Sequence, residues 1–266
     1  MSQIRETFAR LKHSGRGGFI PFITAGHPNL ATTDLLLIEL AAAGADIIEL
    51  GVPFSDPVAD GEVIQRASER ALANGTTLRL VLDCVGRARR HIDTPIVLFS
   101  YFNPLLQFGQ ERLACEAKQA GIDAVLVTDL IPEEAQSWSE QLRRNDLDPI
   151  FLVALTTADD RLKQIAQNAR GFIYAISRAG VTGPRSALTH DAERLVQRVR
   201  TVSDLPVAVG FGISTFEQVK QVWGFADAAV VGSAIVSQIE KLNGARDLVP
   251  QVGNFVRSLR GEENCA

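Results

Sequence analysis

Ala45-Asp46-Ile47-Ile48-Glu49-Leu50-Gly51, then Val52-Pro53-Phe54-Ser55-Asp56-Pro57-Val58-Ala59-Asp60-Gly61, then a helix-period segment over 62–73 make one complete strand–loop–helix unit. The apolar run 45–50 is continuous rather than alternating, as expected of a parallel strand covered on both faces. Beyond Asp46 at its opening, Glu49 is the one charged residue within it. Period-two alternation puts Glu49 on the same side as Ile47, and a carboxylate on an apolar strand must be paired or must shift toward its neutral form.

Outward from this unit the same pattern recurs along the chain. Strand-length apolar runs fall at 18–24, 96–101, 124–127, 150–154, 172–177, 207–210 and 228–231. Helical patterns lie between them at 32–43, 62–73 with a second piece at 78–90, 111–120, 133–144, 159–169, 192–202 and 216–222, and at 234–241 and 247–260. Eight strand–helix units are the count of a (β/α)8 TIM barrel, an α/β fold of roughly 250 residues. The amphipathic start of the chain and the second piece at 78–90 predict extra N-terminal and inserted helices. No linker interrupts the alternation, so residues 1–266 read as a single domain; an open doubly wound sheet is the other architecture that alternation permits.

Three helix-to-strand turns read alike, Gly44-Ala45-Asp46, Gly121-Ile122-Asp123 and Gly224-Phe225-Ala226-Asp227. Each predicts a left-handed glycine after the helix and an Asp before the strand. Pro95, Pro149 and Pro206 open three other strands, the one place where a central strand tolerates proline. These turns belong to the face opposite the chemistry.

Composition excludes several function classes. Of 266 residues, 46% are hydrophobic and 22% charged, which sets aside disorder and fibrous repeats. The net charge of −4, with no basic block beyond Arg87-Ala88-Arg89-Arg90, leaves no nucleic-acid footprint. Cys84, Cys115 and Cys265 are odd in number and widely spaced, and His13, His27, His91 and His190 are scattered. Neither a disulfide framework nor a metal site is expected, which fits a reducing cytosol. The charged N-terminal stretch lacks the apolar core of a signal peptide, and no apolar run is long enough to span a bilayer. The expectation is a cytoplasmic protein with no membrane partner.

The chemistry gathers at the ends of the strands. Glycine-bearing stretches follow the last three: Gly180-Val181-Thr182-Gly183, Gly210-Phe211-Gly212-Ile213-Ser214 and Gly232-Ser233. Glycine admits an anion close to the backbone, and the helix that follows offers free N–H groups, so a phosphate site is expected here. Ser233 is its natural hydroxyl donor, or else a plain helix cap. Glu49 suits a general acid/base, or else a buried ion pair. Asp60 precedes a helix and suits either acid/base work or an N-cap, while Asp56-Pro57 also fits an ordinary turn. Phe22, Tyr101, Tyr174 and Phe211 stand at strand ends, where they can line a flat apolar slot that takes a ring, or serve as core.

Taken together, Pro21-Phe22-Ile23-Thr24-Ala25-Gly26-His27-Pro28, Leu50 through Gly61, Ile64-Gln65, Tyr101-Phe102-Asn103-Pro104, Asp129-Leu130-Ile131-Pro132-Glu133-Glu134, the three glycine stretches and Val231-Gly232-Ser233-Ala234 resemble the tryptophan synthase alpha chain family, in order and over nearly the whole chain. The resemblance implies a lyase that cleaves indole-3-glycerol phosphate to indole and glyceraldehyde 3-phosphate by a retro-aldol reaction. It implies that Glu49 moves protons between the indole ring carbon and the glycerol hydroxyl, and that Asp60 stabilises the protonated ring nitrogen. Thr182, Gly183, Gly212, Gly232 and Ser233 fall in its phosphate motifs, and Phe22, Tyr101, Tyr174 and Phe211 in its indole slot. It further implies no cofactor in this chain: pyridoxal phosphate belongs to a beta chain, the partner in an alpha2-beta2 heterotetramer, toward which the Asp56 loop would face. A stand-alone lyase releasing free indole, and a non-catalytic barrel that binds a phosphate ligand, are the alternatives. Glu62, Thr128, Ile131 and Leu155 depart from the family pattern, each where proline is common.

Overall fold

The computed structural model describes residues 2–176, 185–210 and 212–262. In chain order the elements are α1 (Gln3–His13), β1 (Gly18–Thr24), α2 (Leu30–Ala42), β2 (Ile48–Gly51), α3 (Glu62–Ala73), α4 (Leu78–Ala88), β3 (Ile96–Ser100), α5 (Phe102–Phe108), α6 (Gln110–Ala120) and β4 (Ala124–Val127). They continue as α7 (Gln136–Arg144), β5 (Asp148–Ala154), α8 (Asp159–Asn168), β6 (Ile173–Ile176), α9 (Arg185–Arg200), β7 (Val207–Gly210), α10 (Phe216–Trp223), β8 (Ala228–Val231), α11 (Ser233–Lys241) and α12 (Leu248–Leu259). The strands pair in parallel in sequence order, and β8 returns to β1, which closes the barrel. The open-sheet alternative is thereby removed. Beyond one helix per strand, the described residues add α1 at the N-terminus and a second helix after β2 (α3, α4), after β3 (α5, α6) and after β8 (α11, α12).

Alternation divides each strand between two cores. Ile20, Ile47, Val97, Ala124, Leu126, Ile150, Phe172, Ala208, Ala228 and Val230 fill the inside of the barrel, and Ile4, Phe8 and Leu11 of α1 plug its N-terminal end. Residues one position along, such as Phe19, Ile48, Leu50, Leu98, Val125 and Val209, pack outward against the helices. Both faces are dry, which is why the strands read as unbroken apolar runs.

The Gly-x-Asp turns act as clamps. The Asp46 N–H donates to the Phe19 carbonyl while its carboxylate accepts from the Phe19 N–H at 2.9 Å. Asp123 repeats this with Ile96 (2.8 Å) and Asp227 with Val207 (2.8 Å), each Asp binding the strand that precedes its own. Arg16, Arg89 and Arg200 neutralise the three carboxylates in turn. One expectation fails: Gly44 (φ +87°) and Gly121 (φ +95°) are left-handed, but Gly224 is right-handed (φ −69°). The longer Gly224–Asp227 connection reaches its clamp without reversing at glycine. Of the three prolines, Pro149 is the second residue of β5, while Pro95 and Pro206 immediately precede their strands.

The Asp123 clamp is the least exposed, with Arg89 only 17% accessible. Asp123→Ala would strip a buried N–H and a largely buried guanidinium of their partner, an expected loss of about 3 kcal/mol. Urea unfolding checks it: Asp227→Ala, whose Arg200 is 48% exposed, should cost clearly less.

Helix α5 escapes a reading of periodicity because Pro104 lies inside it. Pro104 is its third residue, where the missing N–H has no helical partner to lose. Two departures from the family pattern also acquire a role. The Thr128 N–H, which a proline would lack, donates to the Ser100 carbonyl at 3.0 Å. Leu155 packs on the outer core and its carbonyl accepts from Arg198 at 2.9 Å.

Candidate active site

Glu49 sits in register between Phe22 of β1 and Val97 of β3, on the inward side of β2. It is 1% exposed, and neither carboxyl oxygen has a hydrogen-bond partner among the described residues. Burial raises its pKa from 4.5 to about 8. No cation of the described residues pairs with it, so the buried-ion-pair reading does not hold among them. A carboxyl in this setting is protonated at neutral pH and can give its proton up and recover it.

This burial carries a stability consequence of definite sign. The carboxyl titrates near 4.5 when unfolded and near 8 when folded, so its burial costs nothing below pH 4.5. Between 4.5 and 8 the native state keeps a proton that the unfolded chain releases, at a cost that grows with pH and levels off above 8, where the native group is ionised too. Glu49→Gln lacks that cost. The variant should therefore gain stability over the parent as pH rises from 4.5 to 8, by roughly 3–5 kcal/mol at the plateau. A stability difference that stays flat across this range in chemical unfolding would contradict the assignment of the raised pKa.

Around Glu49 the inward positions carry rings. Phe22 (5% exposed) meets Phe99 edge-on with centroids 5.2 Å apart, and Tyr101 tilts against Phe54 at 5.2 Å. Tyr174 on β6 is buried, and burial together with the charges of Glu49 and Asp60 pushes its phenol well above the usual value. Two strand glycines make room: a Cβ at Gly210 would collide with the Tyr174 hydroxyl, and one at Gly51 would come within 2.6 Å of the Phe22 ring. Phe22, Tyr101 and Tyr174 are thus brought to the same end of the barrel as Glu49. Phe211 lies outside the described residues. Phe99, Leu152 and Ile176, partly buried on the same inner surface, were missed as candidates. The signal was available for Phe99, since 97, 99 and 101 alternate inward as 47 and 49 do.

Asp60 is not the cap of α3. That place belongs to Gly61, and no side chain caps the helix. The carboxyl instead lies beside Tyr101 in a half-buried position. Burial raises its pKa from 3.8 to about 6, and a hydrogen bond from Tyr101 opposes the rise. The Tyr101 hydroxyl also accepts from the Ala59 N–H at 2.9 Å. Asp56, by contrast, is exposed; its carbonyl accepts from Val58, and its carboxylate accepts from Ser55 Oγ at 2.5 Å. It forms the turn and lies at the surface of the loop.

The phosphate candidates are in part described. Gly232 is the residue before α11 and faces Phe22, whose Cβ would be 3.5 Å from a Cβ placed there. Ser233 is exposed and is the first residue of α11 rather than its cap. Gly212 adopts φ +67°, with nothing within 4 Å of where a Cβ would stand. Free N–H groups at the start of α11, with open backbone at Gly212, suit an anion. Thr182 and Gly183 lie outside the described residues. Among the described residues no three His, Cys, Asp or Glu side chains gather as metal ligands, and no helix is long and apolar enough to cross a membrane.

The chain has clear relatives. The family described as Tryptophan synthase alpha chain matches residues 8–262. A protein named tryptophan synthase alpha chain from Citrifermentans bemidjiense is 50% identical over 260 residues, covering 98% of this chain and 97% of that one. One of the same name from Neisseria gonorrhoeae is 47% identical over 261 residues, 98% of each. Among solved structures, tryptophan synthase subunit alpha from Legionella pneumophila superposes with a TM-score of 0.91 at 36% identity, covering 98% of both chains. A chain of tryptophan synthase from M. tuberculosis, in an aminoacrylate-bound form, gives a TM-score of 0.87 at 34% identity, covering 98% of this chain and 100% of that one.

Proposed function

The chain belongs to the tryptophan synthase alpha chain family, and we propose that Glu49 and Asp60 are the two groups that carry its chemistry. Its activity is that of a lyase: it cleaves indole-3-glycerol phosphate to indole and glyceraldehyde 3-phosphate in tryptophan biosynthesis. The observation that supports the assignment is the contrast between the two acids, one fully buried with a pKa near 8, the other half-buried with a pKa near 6. Environments that push two carboxyls apart let one hold its proton while the other stands ionised at the same pH, so that one can transfer protons and the other stabilise positive charge.

The steps follow from that division. Protonated Glu49 delivers its proton to the ring carbon that bears the glycerol chain. Positive charge then appears on the ring nitrogen, where the Asp60 carboxylate stabilises it. Glu49, now a carboxylate, removes the proton from the chain hydroxyl. The carbon–carbon bond breaks, its electrons return to the ring, the hydroxyl carbon becomes the aldehyde, and Glu49 is protonated as at the start. Phe22, Tyr101, Tyr174 and Phe211 line the indole slot. Thr182, Gly183, Gly212, Gly232 and Ser233 hold the phosphate, and no cofactor of this chain takes part.

The residues form one barrel domain whose catalytic face receives a beta chain. Exposed apolar side chains support that surface: Val58, Leu106 and Ile131 are 86%, 52% and 40% exposed on the segments after β2, β3 and β4. Asp56 lies in the same loop as Val58. The assembly is an alpha2-beta2 heterotetramer in the cytoplasm, with pyridoxal phosphate in the beta chain. Indole release from indole-3-glycerol phosphate, with and without a beta chain, tests this. Release that quickens by about tenfold or more with the partner is expected; equally fast release from the isolated chain would favour a stand-alone lyase.

A further inference from the structure

The Asp60 carboxyl can be aimed only if the peptide groups on both sides of its Cα are held. On the N-terminal side they are: the Asp60 N–H donates to the Pro57 carbonyl at 3.0 Å, and the Ala59 N–H to the Tyr101 hydroxyl at 2.9 Å. On the C-terminal side the chain passes into Gly61, which has no side chain to cap α3 and no contact within 4 Å of its Cβ position. The Asp60 carbonyl lies before the helix and outside its ladder. Its partner is the amide of Gln65, whose Nε2 donates to it at 2.9 Å.

We infer that Gln65 is a positioning residue for Asp60: its amide pins the Asp60 carbonyl to the first turn of α3 and so sets the direction of the carboxyl. The inference rests on the reading of Asp60 given above. The anchor is firm because α3 itself is fixed. Ala67, Ser68 and Ala71 are buried beneath it, and next to Gln65 the Arg66 guanidinium grips Glu240 of α11 through two hydrogen bonds, at 3.1 and 2.9 Å. That link ties the helix aiming Asp60 to α11, the helix that starts at the proposed phosphate cradle. The chemistry requires a donor at position 65 with the reach of glutamine. Glutamate keeps the shape but presents lone pairs to a carbonyl, and methionine keeps the length but offers nothing.

A double-mutant cycle on the full chain with its beta partner tests the inference. Gln65→Met and Gln65→Glu should each lower kcat for indole release about tenfold, with KM within twofold and the melting temperature within about 2 °C. In an Asp60→Asn background the same substitutions should cost less than twofold, because a residue acting through Asp60 has nothing left to position. Equal losses in both backgrounds, or losses that track melting temperature, would overturn the role of Gln65 while leaving Asp60 in place. Full activity of Asp60→Asn alone would overturn the reading of Asp60 and this inference with it.

Discussion

Glu49→Gln is expected to lower turnover of indole-3-glycerol phosphate by about 10²–10⁴ while binding of the substrate phosphate changes by less than about threefold. The amide has the size of the carboxyl and fits the same dry position between Phe22 and Val97. What it lacks is a proton that can leave and return. Cleavage needs one proton placed on the ring carbon and one taken from the hydroxyl, and Glu49 is the buried acid of β2, the strand that carries the Asp60 loop. Neither of its oxygens is engaged by another described residue, so nothing competes for the proton. Steady-state kinetics separate the cases. A fall in kcat with KM nearly unchanged marks a group acting in the transition state; matching losses in binding and turnover would make Glu49 a structural residue.

Asp60→Asn should reduce kcat/KM by roughly 10²–10³, the scale of removing one preorganised electrostatic partner from a developing charge. It should also alter the pH profile. With Asp60 titrating near 6 and Glu49 near 8, the parent needs the first ionised and the second protonated, so kcat/KM should form a bell with limbs near those values. A substrate phosphate also titrates near pH 6. The variant resolves that overlap: loss of the acid limb in Asp60→Asn assigns it to Asp60, and its persistence assigns it to the phosphate. The Tyr101 hydroxyl holds the Asp60 pKa down, so Tyr101→Phe should move the acid limb upward.

Much of this protein follows from local pattern. Continuous apolar runs separated by helical periods imply a parallel sheet with both faces covered, because only buried strands can dispense with polar alternation. Period two alone turned Glu49 inward, and the glycines after the last strands marked where backbone can approach an anion. These properties depend on residues a few positions apart, so one sequence suffices to read them. Closure of β8 onto β1, the collision that Gly210 avoids with Tyr174, and the lack of a described partner for Glu49 depend on residues far apart in the chain. Asp60 shows the boundary most clearly. Its place before a helix suits a cap as well as a catalytic acid; the cap position falls to Gly61, and Tyr101, 41 residues later in the chain, meets the Asp60 loop instead. Spacing determined which groups could act; tertiary packing decided which of them lost water, and the loss of water moved their pKa values apart.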